Sequence, residues 1–211
     1  MVDASGCISR AVRRRIFFTR CVPATRPSSS CRSPAEVGVA DAPSVVVLMG
    51  PAGAGKTTLG ERLAASLGWP FADADAYHPA ANVAKMRRGE GLTDADRWPW
   101  LAALRELIST TLARGGRLVL ACSALRRVYR DALVPPDAPP GAVRVVYLHV
   151  GRDELARRLA TRVGHYAPPA LLDSQLATLE EPAPEEGVAW LDAERPADAV
   201  VAAAREALGI R

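Results

Sequence analysis

The feature that most restricts this chain is an octapeptide, Gly50-Pro-Ala-Gly-Ala-Gly-Lys56-Thr57, set between an unbroken apolar run and an amphipathic stretch. Residues 44–49 (Ser-Val-Val-Val-Leu-Met) have the continuous hydrophobicity of a strand buried on both faces, and residues 57–67 have helical spacing. In that strand-to-helix setting, G-x-x-x-x-G-K-[ST] makes a loop whose backbone N–H groups curl around phosphate oxygens. The helix that follows turns the positive end of its dipole toward the same anion. Gly50, Pro51, Ala52, Gly53, Ala54, Gly55, Lys56, Thr57 and Thr58 are therefore expected to hold the phosphates of ATP. Lys56 is expected to bridge the β- and γ-phosphates during catalysis, and the Thr57 hydroxyl to ligate Mg²⁺. Lys56 and Lys85 are the two lysines of a chain with 25 arginines, so each invites a chemical explanation.

Further apolar runs at 117–122, 143–150 and 188–191, with a weaker one at 69–73, alternate with helical patterns at 98–113, 153–162, 170–179 and 196–208. Strands alternating with helices imply right-handed crossovers and an α/β fold: a parallel sheet covered by helices on both faces. With 211 residues, 49% of them hydrophobic, the chain is long enough for one well-buried domain. No apolar run approaches the roughly 18 residues of a membrane-spanning helix. The expectation is a soluble intracellular protein without membrane or nucleic-acid partners.

The net charge of +4 is unevenly placed. Residues 1–43 carry seven arginines against Asp3, Glu36 and Asp41, whereas residues 44–211 carry 20 basic and 20 acidic side chains. The basic character thus belongs to an Arg/Ser-rich extension, and the body, 44–211, is neutral. The extension reads as a plastid or mitochondrial transit segment, a disordered extension, or a stretch absent from a mature cytoplasmic protein. Cys7, Cys21 and Cys31 lie in it, leaving Cys122 in the body with no C-x-x-C pair and no metal-like spacing; Cys122 is expected to be a small buried apolar residue.

Asn82 is the single asparagine, which removes the N-K-x-D guanine-reading motif of regulatory GTPases. The run 117–122 ends in Cys-Ser without an aspartate, so another acid must support the metal. Phe71-Ala-Asp73-Ala-Asp75 offers two. At the carboxyl end of a strand both would face the crevice where open α/β sheets bind ligands, although the same pair also suits helix caps and turns.

After them come Tyr77-His78-Pro79, Asn82-Val-Ala-Lys85-Met86, Leu92-Thr-Asp94-Ala-Asp96-Arg97-Trp-Pro-Trp100-Leu101, Ala121-Cys-Ser-Ala-Leu-Arg126-Arg127-Val-Tyr129-Arg130-Asp131, and a block from Arg158 to Pro182 containing Gly164-His165-Tyr166 and Ser174-Gln175-Leu176. Together with the phosphate loop, these ordered blocks resemble the small gluconokinases, P-loop kinases related to shikimate and nucleoside monophosphate kinases. The resemblance spans residues 45 to about 208. It implies a P-loop NTPase fold with a five-stranded parallel sheet in the order 2-3-1-4-5 and a mobile lid near 163–170. It further implies ATP- and Mg²⁺-dependent phosphorylation of D-gluconate to 6-phospho-D-gluconate, which feeds the pentose phosphate pathway, and a homodimer.

Carried onto this chain, Asp75 orients or deprotonates the acceptor hydroxyl and Asp73 supports Mg²⁺. His78, Lys85, Arg97, Arg130, His165 and Gln175 contact gluconate, a small anion that needs cations for its carboxylate and hydrogen-bonding groups for its hydroxyls. Arg158 and Arg162, one helical turn apart, close over the transferring phosphoryl group. Taken singly, Arg97 would equally pair with Asp94 or Asp96, and the Trp98–Leu101 run reads as core and helix start. Departures from the family pattern are Ala52 and Ala54 in the loop, where serines are common, together with Ala76 and Ala81. The rival readings are a kinase for shikimate or a nucleoside monophosphate, and a noncatalytic ATP-binding protein.

Overall fold

The structure, a computed structural model, describes residues 42–161 and 169–210. Residues 163–168 of the expected lid and nearly all of the basic extension lie outside these residues. Five strands form one parallel sheet: β1 (Val45–Met49), β2 (Phe71–Asp73), β3 (Leu118–Ala121), β4 (Val143–His149) and β5 (Ala189–Asp192). Their order is β2-β3-β1-β4-β5, as the resemblance implied. All five residues of the central β1 are buried, which explains a run of Val, Leu and Met with no polar alternation.

Among the described residues, seven α-helices connect and cover the strands: α1 (Lys56–Leu67), α2 (Ala80–Arg87), α3 (Asp94–Ala113), α4 (Arg127–Leu133), α5 (Arg152–Ala160), α6 (Pro169–Thr178) and α7 (Ala197–Ala207). Alternate residues of the strands point into two separate cores. Val46, Leu48, Val119, Val146 and Leu148 pack with Leu59 and Leu63 of α1, Leu155 of α5, Leu172 of α6 and Val200 of α7. Val45, Val47, Leu120 and Tyr147 pack with Leu101, Leu104 and Ile108 of α3 and Tyr129 and Leu133 of α4.

The structure departs from the sequence pattern in three places. The long helix α3 begins at Asp94, a turn before Trp98, because Thr93 and Asp96 form a reciprocal cap: each side chain bonds the other's backbone N–H. Pro99 therefore sits inside the helix and leaves the Ala95 carbonyl without its N–H donor. Helices α2 and α4 do not appear in the apolar periodicity. Each is shorter than three turns, and α2 is tied to α3 by Asn82 Nδ2 donating to the Asp96 carbonyl at 2.8 Å.

Candidate active site

The phosphate loop connects the carboxyl end of β1 to α1, and its shape requires glycine at Gly53 and Gly55, whose φ angles of 85° and 90° are left-handed. Gly55 is the N-cap of α1; that end has no side-chain cap and no acidic residue in its first turn, leaving its N–H groups for an anion. Lys56 folds back along the loop, donating from Nζ to the Pro51 carbonyl at 3.0 Å.

The two aspartates differ in position and partners. Asp73 ends β2, and its Oδ2 accepts from the Thr57 hydroxyl at 2.8 Å while its Oδ1 accepts from the Asp75 N–H at 3.0 Å. The second bond makes Asp73 the cap of a 3₁₀ turn, Ala74–Tyr77, so the capping reading holds. Asp75, at the start of that turn, has its side chain 88% exposed. Thr57 and Asp73 thus bring a hydroxyl and a carboxylate together next to the phosphate loop. These are hard oxygen donors of the type Mg²⁺ takes, and one or two protein ligands suffice where phosphates supply the rest. The residues present fit the ion.

Cys122, just beyond β3, lies within electrostatic reach of Lys56, Asp73 and Asp75. It is 1% exposed, and burial pushes its thiol up to about 12. This is the inert buried residue expected from sequence, since a nucleophilic cysteine needs a stabilised thiolate.

His78 follows the 3₁₀ turn. Its ring stacks on Trp100 at 4.4 Å between centroids, its side chain is 5% exposed, and Nε2 lies 4.0 Å from Asp75 Oδ1. Desolvation is the largest influence on its pKa and lowers it; the charge of Asp75 opposes this and that of Arg97 adds to it. The imidazole is therefore neutral near pH 7. Its Nδ1 is buried without a hydrogen-bond partner.

The other expected substrate cations hold intramolecular partners. Lys85 Nζ donates to both oxygens of Asp96, at 2.7 and 2.8 Å, and this bond is the first of the causes that hold the Asp96 carboxyl down at about 2. Arg97 Nη1 lies 3.5 Å from Asp94 Oδ1 and donates to the Tyr129 hydroxyl at 3.2 Å.

Arg130 is a correction to the sequence reading. It is buried, 3% exposed, and its fork donates to both carboxylate oxygens of Glu186 at 2.7 and 2.9 Å. Its Nη1 also bonds the carbonyls of Ala124, Leu125 and Glu180. A guanidinium so buried and so engaged braces the loop after β3 against the chain after α6 rather than facing a substrate carboxylate.

On the lid side, Arg158 of α5 donates from Nε to Glu154 Oε1 at 2.7 Å and from Nη2 to the Ala193 carbonyl at 2.9 Å, with Nη1 3.5 Å from the Gly53 carbonyl. This places its guanidinium beside the phosphate loop. Arg157 pairs with Glu154 at the surface. Gln175, expected on gluconate, instead accepts from the Ala52 N–H at 2.6 Å. Arg162 and His165 lie outside the described residues.

Sequence reasoning missed a cluster around Tyr129. Its hydroxyl donates to Asp94 Oδ1 at 2.5 Å, Arg126 donates to Asp94 Oδ2 at 2.6 Å, and both Arg97 and Arg126 lie 5.5 Å from the Tyr129 ring centre. The Tyr129 bond is the first cause that lowers the Asp94 pKa. The signal was present in the short spacing of Arg126, the N-cap of α4, and Tyr129 in its first turn.

A family model described as an AAA domain matches residues 45–182. A gluconokinase of Gluconobacter oxydans (strain 621H) is 46% identical over 159 residues, 75% of this chain and 88% of that protein. The crystal structure of a gluconokinase from Sinorhizobium meliloti 1021 superposes with a TM-score of 0.71 at 42% identity, covering 80% of this chain and 93% of the other. A sugar kinase from Janibacter sp. HTCC2649 superposes with a TM-score of 0.73 at 41% identity, covering 80% and 95%. Sheet order, phosphate loop and these relatives agree, and the chain belongs to the gluconokinase family of P-loop kinases.

Proposed function

We propose that this protein transfers the γ-phosphoryl group of ATP to the terminal hydroxyl of D-gluconate, forming 6-phospho-D-gluconate and ADP. The observation that carries this reading is the placement of Asp75. It is exposed at the carboxyl end of β2, two residues beyond an aspartate already bonded to Thr57 of the phosphate loop. From there Asp75 accepts the hydroxyl proton as the substrate oxygen attacks phosphorus and the bond to the ADP oxygen breaks.

Lys56 and the loop amides hold the β- and γ-phosphates, and Arg158, with Arg162, stabilises the charge that develops on the transferring group. Thr57 and Asp73 would hold Mg²⁺, which supplies neutralisation of the phosphate charge. His78, Lys85 and Arg97, together with His165, are assigned to binding the acceptor. His78 is a neutral hydrogen-bonding group beside Asp75, suited to a hydroxyl; Arg97 suits the carboxylate, exchanging its long contact to Asp94 for the substrate.

The test is ADP release by the purified protein with Mg-ATP and, in parallel, gluconate, shikimate, AMP, CMP or other sugar acids. Gluconate should stimulate turnover most. Stimulation by a nucleotide with indifference to gluconate would reject the assignment. Asp75→Asn should lose most turnover, on the order of 10²-fold or more, while still binding ATP.

A further inference from the structure

Five consecutive residues of the phosphate loop, Pro51 to Gly55, carry no side-chain donor or acceptor. Apart from Lys56, whose Nζ donates to the Pro51 carbonyl at 3.0 Å, the loop has no polar side chain among these five to brace it, so the rest of its shape depends on backbone turns and on groups reaching it from elsewhere. Within it, the Ala54 N–H donates to the Pro51 carbonyl at 3.2 Å. From outside, the Gly50 N–H donates to the Ser123 carbonyl at 3.3 Å, and two side chains arrive at adjacent positions. Arg158 of α5 approaches the Gly53 carbonyl at 3.5 Å, and Gln175 of α6 accepts from the Ala52 N–H at 2.6 Å. These helices are the two that come before and after residues 162–168 in the chain, and they reach adjacent residues of the loop, α5 at Gly53 and α6 at Ala52.

The Gln175 contact is the shorter one, and it joins residues 123 apart in sequence. A buried or half-buried amide N–H that loses its acceptor is costly, so occupation of this donor favours one arrangement of the first half of the loop. We propose that Gln175 is a positioning residue for the phosphate loop: by accepting the Ala52 N–H it holds the loop ready for the nucleotide and sets α6 against it. The consequence is reciprocal. A nucleotide that orders the loop strengthens the docking of α6, and a loosened α6 weakens nucleotide binding by the same factor. The inference rests on the kinase reading for its purpose, but it assigns Gln175 to the nucleotide side of the reaction rather than to gluconate.

Two variants separate the possibilities. Gln175→Met keeps the length of the side chain and removes the oxygen, whereas Gln175→Glu keeps an oxygen in place. Amide exchange at Ala52 in the nucleotide-free protein should be faster in Gln175→Met and restored in Gln175→Glu. Dissociation constants for ADP, from calorimetric titration, should be about fivefold weaker in Gln175→Met, the size expected for one hydrogen bond, with KM for gluconate within about twofold of the parent. Unchanged Ala52 exchange and ADP affinity in Gln175→Met would overturn the proposal. A rise in KM for gluconate with ADP affinity intact would also overturn it and return Gln175 to the substrate. Exchange and ADP binding are read without turnover, so a parent protein that fails to phosphorylate gluconate would reject the functional assignment and leave this test intact.

Discussion

The Thr57 hydroxyl donates to Asp73 Oδ2 at 2.8 Å, joining the last residue of the phosphate-loop motif to the last residue of β2. Both oxygens become available to a cation when the hydroxyl proton turns away. Asp73→Asn removes the charge and keeps the shape, so it should lower kcat by about 10²-fold and raise the Mg²⁺ concentration needed for half-maximal rate. Steady-state rates measured across a Mg²⁺ titration check this. An unchanged Mg²⁺ requirement would place the ion elsewhere.

Arg130 and Glu186 form a buried fork, with side chains 3% and 8% exposed. Arg130→Met leaves the Glu186 carboxylate without its partner in a site closed to water, and should cost about 3–5 kcal/mol of unfolding free energy in urea. The pair also predicts the direction of acid sensitivity. Glu186 is held below its ordinary pKa of 4.5, chiefly by the Arg130 bond, so the unfolded chain takes up the proton first as pH falls. The pair's contribution is therefore complete above pH 4.5 and is lost as pH drops through the lowered value. KM for gluconate in the folded fraction of Arg130→Met should stay near that of the parent. A large rise in KM with little loss of stability would mean that Arg130 does reach the substrate.

His78 gives stability a second pH dependence, in a higher range. Burial lowers its pKa from the ordinary 6.5, so between the lowered value and 6.5 the unfolded chain binds a proton that the folded one refuses. Stability should accordingly rise with pH up to about 6.5 and gain nothing more from this group beyond it. His78→Phe preserves a ring to stack on Trp100 and removes the titration. The slope of unfolding free energy between pH 5 and 6.5 should be shallower in the variant, and equal slopes would show that the imidazole titrates normally.

The parts of this molecule readable from sequence are those governed by neighbours along the chain. The buried run Val45–Met49, the glycine-bearing loop and the start of α1 follow from residue type and spacing, and so did the positions of the five strands. The sheet order came from resemblance. The eight-residue α2 and seven-residue α4 were not readable, because neither carries a long apolar stripe; Asn82, Lys85 and Tyr129 hold them from across the fold instead. The arginines show the same limit at the site. Residue type marks Arg97, Arg130 and Arg158 alike as cations for an anionic ligand, but burial and partner decide which of them is committed elsewhere. For Arg130 that partner is Glu186, 56 residues on and in a short 3₁₀ turn. Gln175 could be placed near the site by its motif, yet its acceptor role depends on Ala52, which local sequence cannot show.

Gly60 tests how closely β2 must sit for the site to work. It lies in the middle of α1, where alanine would ordinarily stabilise a helix by about 1 kcal/mol. Here a Cβ would stand 2.5 Å from Cε2 and 3.2 Å from Cδ2 of Phe71, and 3.4 Å from Cδ1 of Leu48. The Phe71 ring must move, and Phe71 is the first residue of the three-residue strand that ends in Asp73. The overpacking should outweigh the propensity gain and leave Gly60→Ala less stable by about 1–2 kcal/mol. Because the displacement is passed along β2 to Asp73, kcat should fall as well, with KM for ATP nearly unchanged since the loop itself is untouched. Pairing Gly60→Ala with Phe71→Leu relieves the contact, and thermal unfolding and kinetics of the double variant should both return toward the parent. A single variant more stable than the parent would show that α1 and β2 have room that the structure does not allow.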